Sequence, residues 1–95
     1  DFLGAERAYQ YGLLNRLSEP GQALQDALAL AEVIAANGPL AVATSKRIVT
    51  ESADWSQAEM FDRQRAISEP IFSSADAREG AAAFAEKRKP VWTGK

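Results

Sequence analysis

An aromatic residue and a lysine near the end of the chain have a spacing that would let them bind one nucleotide. Phe84 and Lys87 are three residues apart in a segment predicted to be helical, so their side chains would share a face. The ring can stack on a base while the ammonium group pairs with a phosphate. The alternative is that Phe84 belongs to the core and that the surrounding basic cluster complements the helix dipole. That cluster has a local balance of +3: Lys87, Arg88, Lys89 and Lys95 against Glu86.

Carboxylates are the only candidates for acid–base chemistry. The sequence has neither Cys nor His, which excludes disulfides, thiol nucleophiles, Cys-based metal sites and a Ser-His-Asp triad. Three acidic pairs have i,i+3 spacing: Glu51 with Asp54, Glu59 with Asp62, and Asp76 with Glu79. Such pairs are typical of helix caps and solvated faces. We therefore assign no catalytic residue and predict no metal site.

The composition is that of an ordinary globular chain. The 95 residues are 46% hydrophobic and 25% charged, with a net charge of −2, which does not indicate nucleic-acid binding. A membrane span needs about 20 consecutive apolar residues, and no such run is present, so no membrane association is predicted. The first residues lack a secretory signal pattern and an initiator Met, which favours a missing preceding part. A chain this short also depends on partner surface for stability.

The apolar spacing predicts an all-α fold of about five helices with one short extended segment at Leu13–Leu17. The predicted helices are Ala5–Tyr11, Gln22–Ala36, Leu40–Glu51, Gln57–Phe72 and Ala77–Arg88. Gly12 would end the first helix. Capping boxes are expected at Ser56 with Glu59 and at Asp76 with Glu79, and Pro70 should kink or end the fourth helix.

The size and distribution of apolar side chains on the fourth and fifth helices predict which contacts these helices make. The fourth helix is apolar on more than one side, which indicates contacts in several directions. The fifth has a small-residue interior around Gly80, which permits close approach of another helix or a ligand. Trp55 and Trp92 are expected in packing or at an interface.

Three motifs give the chain its resemblance to a known family. Residues 5–15 (AERAYQYGLLN) resemble the stretch A-x-x-A-x-x-x-G-L-V-N of the crotonase superfamily, with Leu14 where Val is usual. Residues 37–46 resemble its N-x-P-x-A…K segment. Residues 74–90 resemble its ending S-x-D-x-x-E-G-x-x-A-F-x-E-K-R-x-P, the most specific of the three. The match runs along nearly the whole chain and indicates the C-terminal helical segment of an enoyl-CoA hydratase/isomerase.

This resemblance implies a division of labour. Residues 1–95 would form the C-terminal segment that mediates trimerisation, often as a dimer of trimers, and that contacts coenzyme A. The N-terminal spiral domain of the family, which is not in this chain, would hold the oxyanion hole and the catalytic glutamates. The expected substrate is a 2-enoyl-CoA thioester, hydrated or isomerised through a stabilised enolate. Coenzyme A enters as part of the substrate, with no separate cofactor, and Phe84 and Lys87 would lie near its adenosine-phosphate end.

Two alternatives remain open at this point. One is a non-catalytic helical interaction module that covers its apolar faces with a partner. The other is a crotonase relative with a different acyl-CoA reaction, such as a hydrolase, dehalogenase or decarboxylase. The expected location is the cytoplasm, or the mitochondrial matrix in a eukaryote.

Overall fold

The computed structural model describes residues 2–95 and divides them into two compact units that meet at Val33 and Ile34. Asp1, where the sequence analysis found no signal pattern, lies outside the described residues. The five predicted helices are confirmed: α1 (Ala5–Gln10), α2 (Ala23–Ala35), α3 (Pro39–Glu51), α4 (Met60–Phe72) and α5 (Ala75–Glu86). A 3-10 turn at Ser52–Asp54 follows α3. The all-α fold class is therefore confirmed.

Gly12 terminates α1, as predicted. Gly12 takes the left-handed conformation (φ 73°), and its N–H donates to the Tyr9 carbonyl at 2.9 Å. The Leu13 N–H donates to the Ala8 carbonyl at 2.9 Å, which completes a Schellman motif. Beyond it, residues 13–19 have no regular secondary structure, so the expected extended segment forms no strand in the described part of the chain.

The helix α4 begins later than predicted but ends at the predicted Phe72. It begins at Met60 because the Ser56 hydroxyl donates to Glu59 Oε2 at 2.6 Å instead of accepting the Glu59 N–H. The predicted capping box at this position is therefore wrong. Pro70 does not end the helix, which continues to Phe72. A proline this close to the C-terminal end disturbs only one carbonyl in the preceding turn, which the helix tolerates.

The start of α5 also differs from the prediction. Ser74, not Asp76, is the N-cap: its hydroxyl oxygen accepts the Ala77 N–H at 3.0 Å. A β-region backbone is needed at the capping position, and Ser74 has it (φ −68°, ψ 161°). The predicted Asp76–Glu79 capping box is wrong, since Asp76 lies inside the first turn and both carboxylates bind the C-terminal tail instead.

The tail, residues 90–95, folds back onto α5 within the second unit. The Trp92 indole lies against Gly80 and Gly38, and its Nε1–H donates to the Ala36 carbonyl at 2.9 Å. A hypothetical Cβ on Gly80 would be 3.2 Å from the Trp92 ring, so a larger residue there would force the ring to shift slightly. The packing prediction for Trp92 is thereby confirmed.

Within residues 2–95, no single helix is both long and apolar enough to cross a membrane, although the bent pair Ala23–Ala35 and Pro39–Asp54 meets the length and composition criteria together.

Candidate functional site at the end of α5

Phe84 lies in the last turn of α5 and its side chain is 88% exposed. Within residues 2–95 the buried residues are Ala83 and Asp76, so no core of the described chain encloses Phe84. An aromatic ring left open in this way offers one face to a ligand or to a partner.

Lys87 does not continue the helix. It is the C-cap of α5 and takes the left-handed conformation (φ 55°, ψ 38°), the only non-glycine residue with positive φ among residues 2–95. The Lys87 N–H donates to the Phe84 carbonyl at 3.3 Å, and the Arg88 N–H donates to the Ala83 carbonyl at 3.0 Å. The helical i,i+3 spacing assumed for Phe84 and Lys87 is thus wrong, although a backbone hydrogen bond still joins the two residues.

Glu79 clamps the turn that contains Lys87. Its two carboxylate oxygens accept from Arg88 Nη1 and Nη2 at 2.6 and 2.9 Å, and Oε1 also accepts the Val91 N–H at 2.7 Å. The hydrogen bonds from Arg88 and Val91 lower the pKa of Glu79 to about 2. Glu79 therefore keeps its charge throughout the neutral range. It connects α5 to the Arg88 side chain and to the Val91 backbone.

Asp76 fixes the end of the tail. One carboxylate oxygen accepts from the Thr93 N–H and Oγ1–H at 2.7 and 2.9 Å, and the other accepts the Gly94 N–H at 2.9 Å. The Asp76 N–H in turn donates to the Lys95 carbonyl at 3.0 Å. The backbone hydrogen bond from Thr93 is the main cause that lowers the pKa of this 4% exposed carboxyl.

The basic cluster separates into paired and unpaired cations. Arg88 binds Glu79 and also donates to Glu86 Oε2 at 2.6 Å, and these hydrogen bonds raise its pKa. Within residues 2–95, no carboxylate lies within 4.0 Å of the Lys87 ammonium group. Lys87 is exposed, so its charge is available to an external anion.

The other acidic pairs have structural contacts. Glu51 forms an i,i+4 ion pair with Arg47 at 2.7 Å. Glu59 binds Ser56 and Arg63, and the Ser56 hydroxyl is the main cause that lowers its pKa. No group of three His, Cys, Asp or Glu side chains in the described residues is arranged to hold a metal ion.

A mostly apolar pocket of about 250 Å³ lies beside the tail and was missed by the sequence reasoning. Its walls include Leu40, Ile71, Phe72, Ala81 and Trp92. The small residues around Gly80 did predict a close approach in this region. Only the folded chain shows that the approaching group is the tail's own tryptophan.

The five helices match the C-terminal helical segment of crotonase-fold enoyl-CoA hydratases. The family model described as enoyl-CoA hydratase/isomerase matches residues 1–95, and the chain belongs to that family.

Relatives and solved structures agree with this assignment. An enoyl-CoA hydratase of Mycobacterium tuberculosis is 44% identical over 86 residues, 90% of this chain and 32% of that protein. A carnitinyl-CoA dehydratase of Salmonella arizonae is 39% identical over 94 residues, 95% of this chain and 36% of that protein. The crystal structure of an enoyl-CoA hydratase from M. tuberculosis superposes on all of this chain and 38% of its own with a TM-score of 0.99 and 60% identity. The chain thus spans about a third of the length of these relatives.

Proposed function

We propose that the chain is the C-terminal helical part of an enzyme that hydrates or isomerises 2-enoyl-CoA thioesters through a stabilised enolate. The observation that carries the proposal is the family match over residues 1–95, together with the TM-score of 0.99 to a solved enoyl-CoA hydratase. The oxyanion hole and catalytic glutamates belong to the spiral domain of the complete enzyme. No residue of this chain is assigned to the chemical step.

The chain's own contribution is coenzyme A binding by Phe84 and Lys87. The exposed ring would stack on the adenine, and the unpaired ammonium would contact a phosphate. Three features support this role: the exposure of Phe84, the absence of an acidic partner for Lys87 within residues 2–95, and the hydrogen bond between the two backbones. Coenzyme A is part of the substrate, and no separate cofactor is proposed.

The second contribution is assembly into trimers or hexamers. Large apolar side chains remain exposed in both units: Leu24, Leu28, Val33, Phe61 and Phe72 are each more than half exposed. Apolar surface of this extent is typical of an interaction site. The cytoplasm, or the mitochondrial matrix in a eukaryote, stays the predicted location.

A second candidate activity is suggested by the relatives named carnitinyl-CoA dehydratase, which are 34–39% identical to the chain. That reaction would act on a different acyl group while using the same coenzyme A contacts. Parallel assays with a crotonyl-type enoyl-CoA and with carnitinyl-CoA separate the two candidates by their kcat/KM ratio. A non-catalytic interaction module would process neither.

The test of the coenzyme A site uses the complete enzyme and the loss of enoyl thioester absorbance. Lys87→Ala is expected to raise KM for the CoA ester by about 3- to 10-fold with little change in kcat, because a remote contact binds ground and transition states alike. Higher salt should reduce the difference between the two proteins. Lys46→Ala, which removes an equal charge from the exposed part of α3, serves as the matched control. An unchanged KM for Lys87→Ala would disprove the proposed contact between Lys87 and coenzyme A.

A further inference from the structure

We infer that Glu79 is a positioning residue for coenzyme A recognition, because its carboxylate holds the left-handed turn that presents Lys87. This inference rests on the proposed contact between Lys87 and a phosphate of coenzyme A. Glu79 itself touches Arg88 and the Val91 N–H, and acts on the ligand only through the turn.

The conformation of Lys87 is the first observation. A lysine with φ 55° occupies a region that glycine and asparagine enter at much lower cost. Such a conformation persists only where the surrounding structure over-determines it, and such conformations cluster at functional sites. A glycine would close the same helix with less strain but would carry no charge.

The clamp around Lys87 is the second observation. Glu79 reaches residues 9 and 12 positions further along the chain, and its bidentate contact fixes the Arg88 guanidinium in one plane. The Arg88 N–H is meanwhile held by the Ala83 carbonyl. Residues on the C-terminal side of Lys87 are thus tied to α5 through both a side chain and the backbone, which leaves the turn little freedom.

A comparison of two glutamates shows which one performs this task. Glu86 also binds Arg88, at 2.6 Å, but its side chain is 61% exposed, against 24% for Glu79. Glu86 makes no bond to the tail backbone in the described chain, whereas Glu79 accepts the Val91 N–H. Glu86→Gln therefore makes the same change of charge and removes an Arg88 contact, while it leaves the clamp in place.

The decisive experiment compares two substrates in the complete enzyme: the enoyl-CoA and the matching enoyl-pantetheine thioester, which lacks the nucleotide. For Glu79→Gln we expect a KM for the CoA ester that is about fivefold higher, a kcat within about twofold, and an unchanged KM for the pantetheine ester. Removal of a negative charge beside a phosphate site would by itself weaken Coulomb repulsion of the phosphate and lower KM. An increase therefore reports lost positioning. Glu86→Gln is expected to leave both KM values unchanged or slightly lower.

Lys87→Gly provides the second variant, since it keeps the turn and removes the ammonium group. It is expected to raise the KM for the CoA ester alone, and adding Glu79→Gln to it should cause no further increase, because the two residues act through one contact. If Glu79→Gln fails to fold, Arg88→Lys carries the same test. It preserves the charge and loses the bidentate geometry.

Three results would overturn the inference. If Lys87→Gly raises the KM for the CoA ester but Glu79→Gln behaves like Glu86→Gln, Glu79 has no positioning role and the proposed function stands. If Glu79→Gln raises both KM values or lowers kcat strongly, its role is general stability. If neither Lys87 variant changes the KM for the CoA ester, the coenzyme A site and the inference fail together.

Discussion

The contacts within residues 2–33 and those within residues 34–95 differ in how far apart along the chain the bonded residues are. In the first unit, the Schellman motif at Gly12 and the Arg7–Tyr11 contact join residues no more than five positions apart. In the second unit, side chains bind backbone groups 12 to 56 positions away: Glu79 to Val91, Asp76 to Thr93 and Trp92 to Ala36. The first unit has no buried residue, whereas the second encloses Asp76 and Ala83.

The second unit therefore carries the part of the fold that depends on tertiary contacts. Its tail has no secondary structure, so its position is determined by a few specific side chains. A change in one of those side chains should loosen the whole tail. A change in a local contact of the first unit should affect only a single helical turn.

The largest effect is expected from Trp92→Ala. Loss of the ring removes its packing against Gly80 and Gly38. It also removes the hydrogen bond that the indole N–H donates to the Ala36 carbonyl. We expect the free energy of unfolding of residues 34–95 to fall by about 3 kcal/mol, near the low end for Trp→Ala because Trp92 is not fully buried. Urea denaturation measures this change. Trp92→Phe, which keeps a ring and loses only the indole N–H, should cost clearly less.

The second effect concerns Asp76→Asn. An amide has one acceptor oxygen and places an N–H₂ group where the second carboxylate oxygen now accepts the Gly94 N–H. Hydrogen exchange measured by mass spectrometry should show the Thr93 and Gly94 amides exchanging at least about tenfold faster, as expected when a buried hydrogen bond is lost. Asp62→Asn, an exposed carboxylate on α4, is the matched control. Equal exchange in both variants would show that Asp76 does not hold the tail.

The sequence predicted the helices and their order, because helix formation follows local spacing and local caps. It predicted the family through the ending motif of residues 74–90. It misassigned Asp76 and Glu79, because an acidic i,i+3 pair looks the same whether it caps a helix or binds a distant backbone amide. The left-handed conformation of Lys87 was also missed, since Lys is a good helix former and neither neighbouring residue is typical of a turn. Both errors fall where long-range bonds override local preference.

Acid should loosen the second unit in a defined range of pH. The pKa of Glu79 is lowered from 4.5 to about 2, and that of Asp76 is lowered as well. A depressed folded pKa stabilises the fold above the unfolded pKa, and that stabilisation is lost as the pH falls through the folded value. Exchange at the Val91 amide should therefore rise, relative to its intrinsic rate, between about pH 4.5 and pH 2. Glu79→Gln should flatten this dependence, whereas a parallel dependence in the variant would assign it to other carboxyls.

Gly80→Ala is expected to have a smaller effect whose sign depends on Trp92. Alanine favours a helix interior over glycine by about 1 kcal/mol, but its methyl group would meet the indole ring at 3.2 Å. Overpacking costs about 1–3 kcal/mol, so we expect a net loss between zero and about 2 kcal/mol. In a Trp92→Ala background the same substitution should instead stabilise the protein. A double-mutant cycle from urea denaturation measures the coupling, and the absence of a sign change would disprove the contact.

The smallest effect is expected in the first unit, at the Arg7–Tyr11 contact. Arg7 Nε donates to the Tyr11 hydroxyl at 3.2 Å, and the guanidinium carbon lies 5.7 Å from the ring centroid. Tyr11 is 62% exposed, so Arg7→Ala should reduce the free energy of unfolding by only about 0.5 kcal/mol, as for other exposed i,i+4 pairs. Arg47→Ala is the counterpart in the second unit, because it breaks an exposed i,i+4 pair with Glu51. Similar small losses in the two variants would show that the cost of losing a contact depends on the sequence separation of the two residues. It would not depend on which unit contains them. A loss above about 1.5 kcal/mol for Arg7→Ala would exceed what an exposed local pair contributes and would break the comparison.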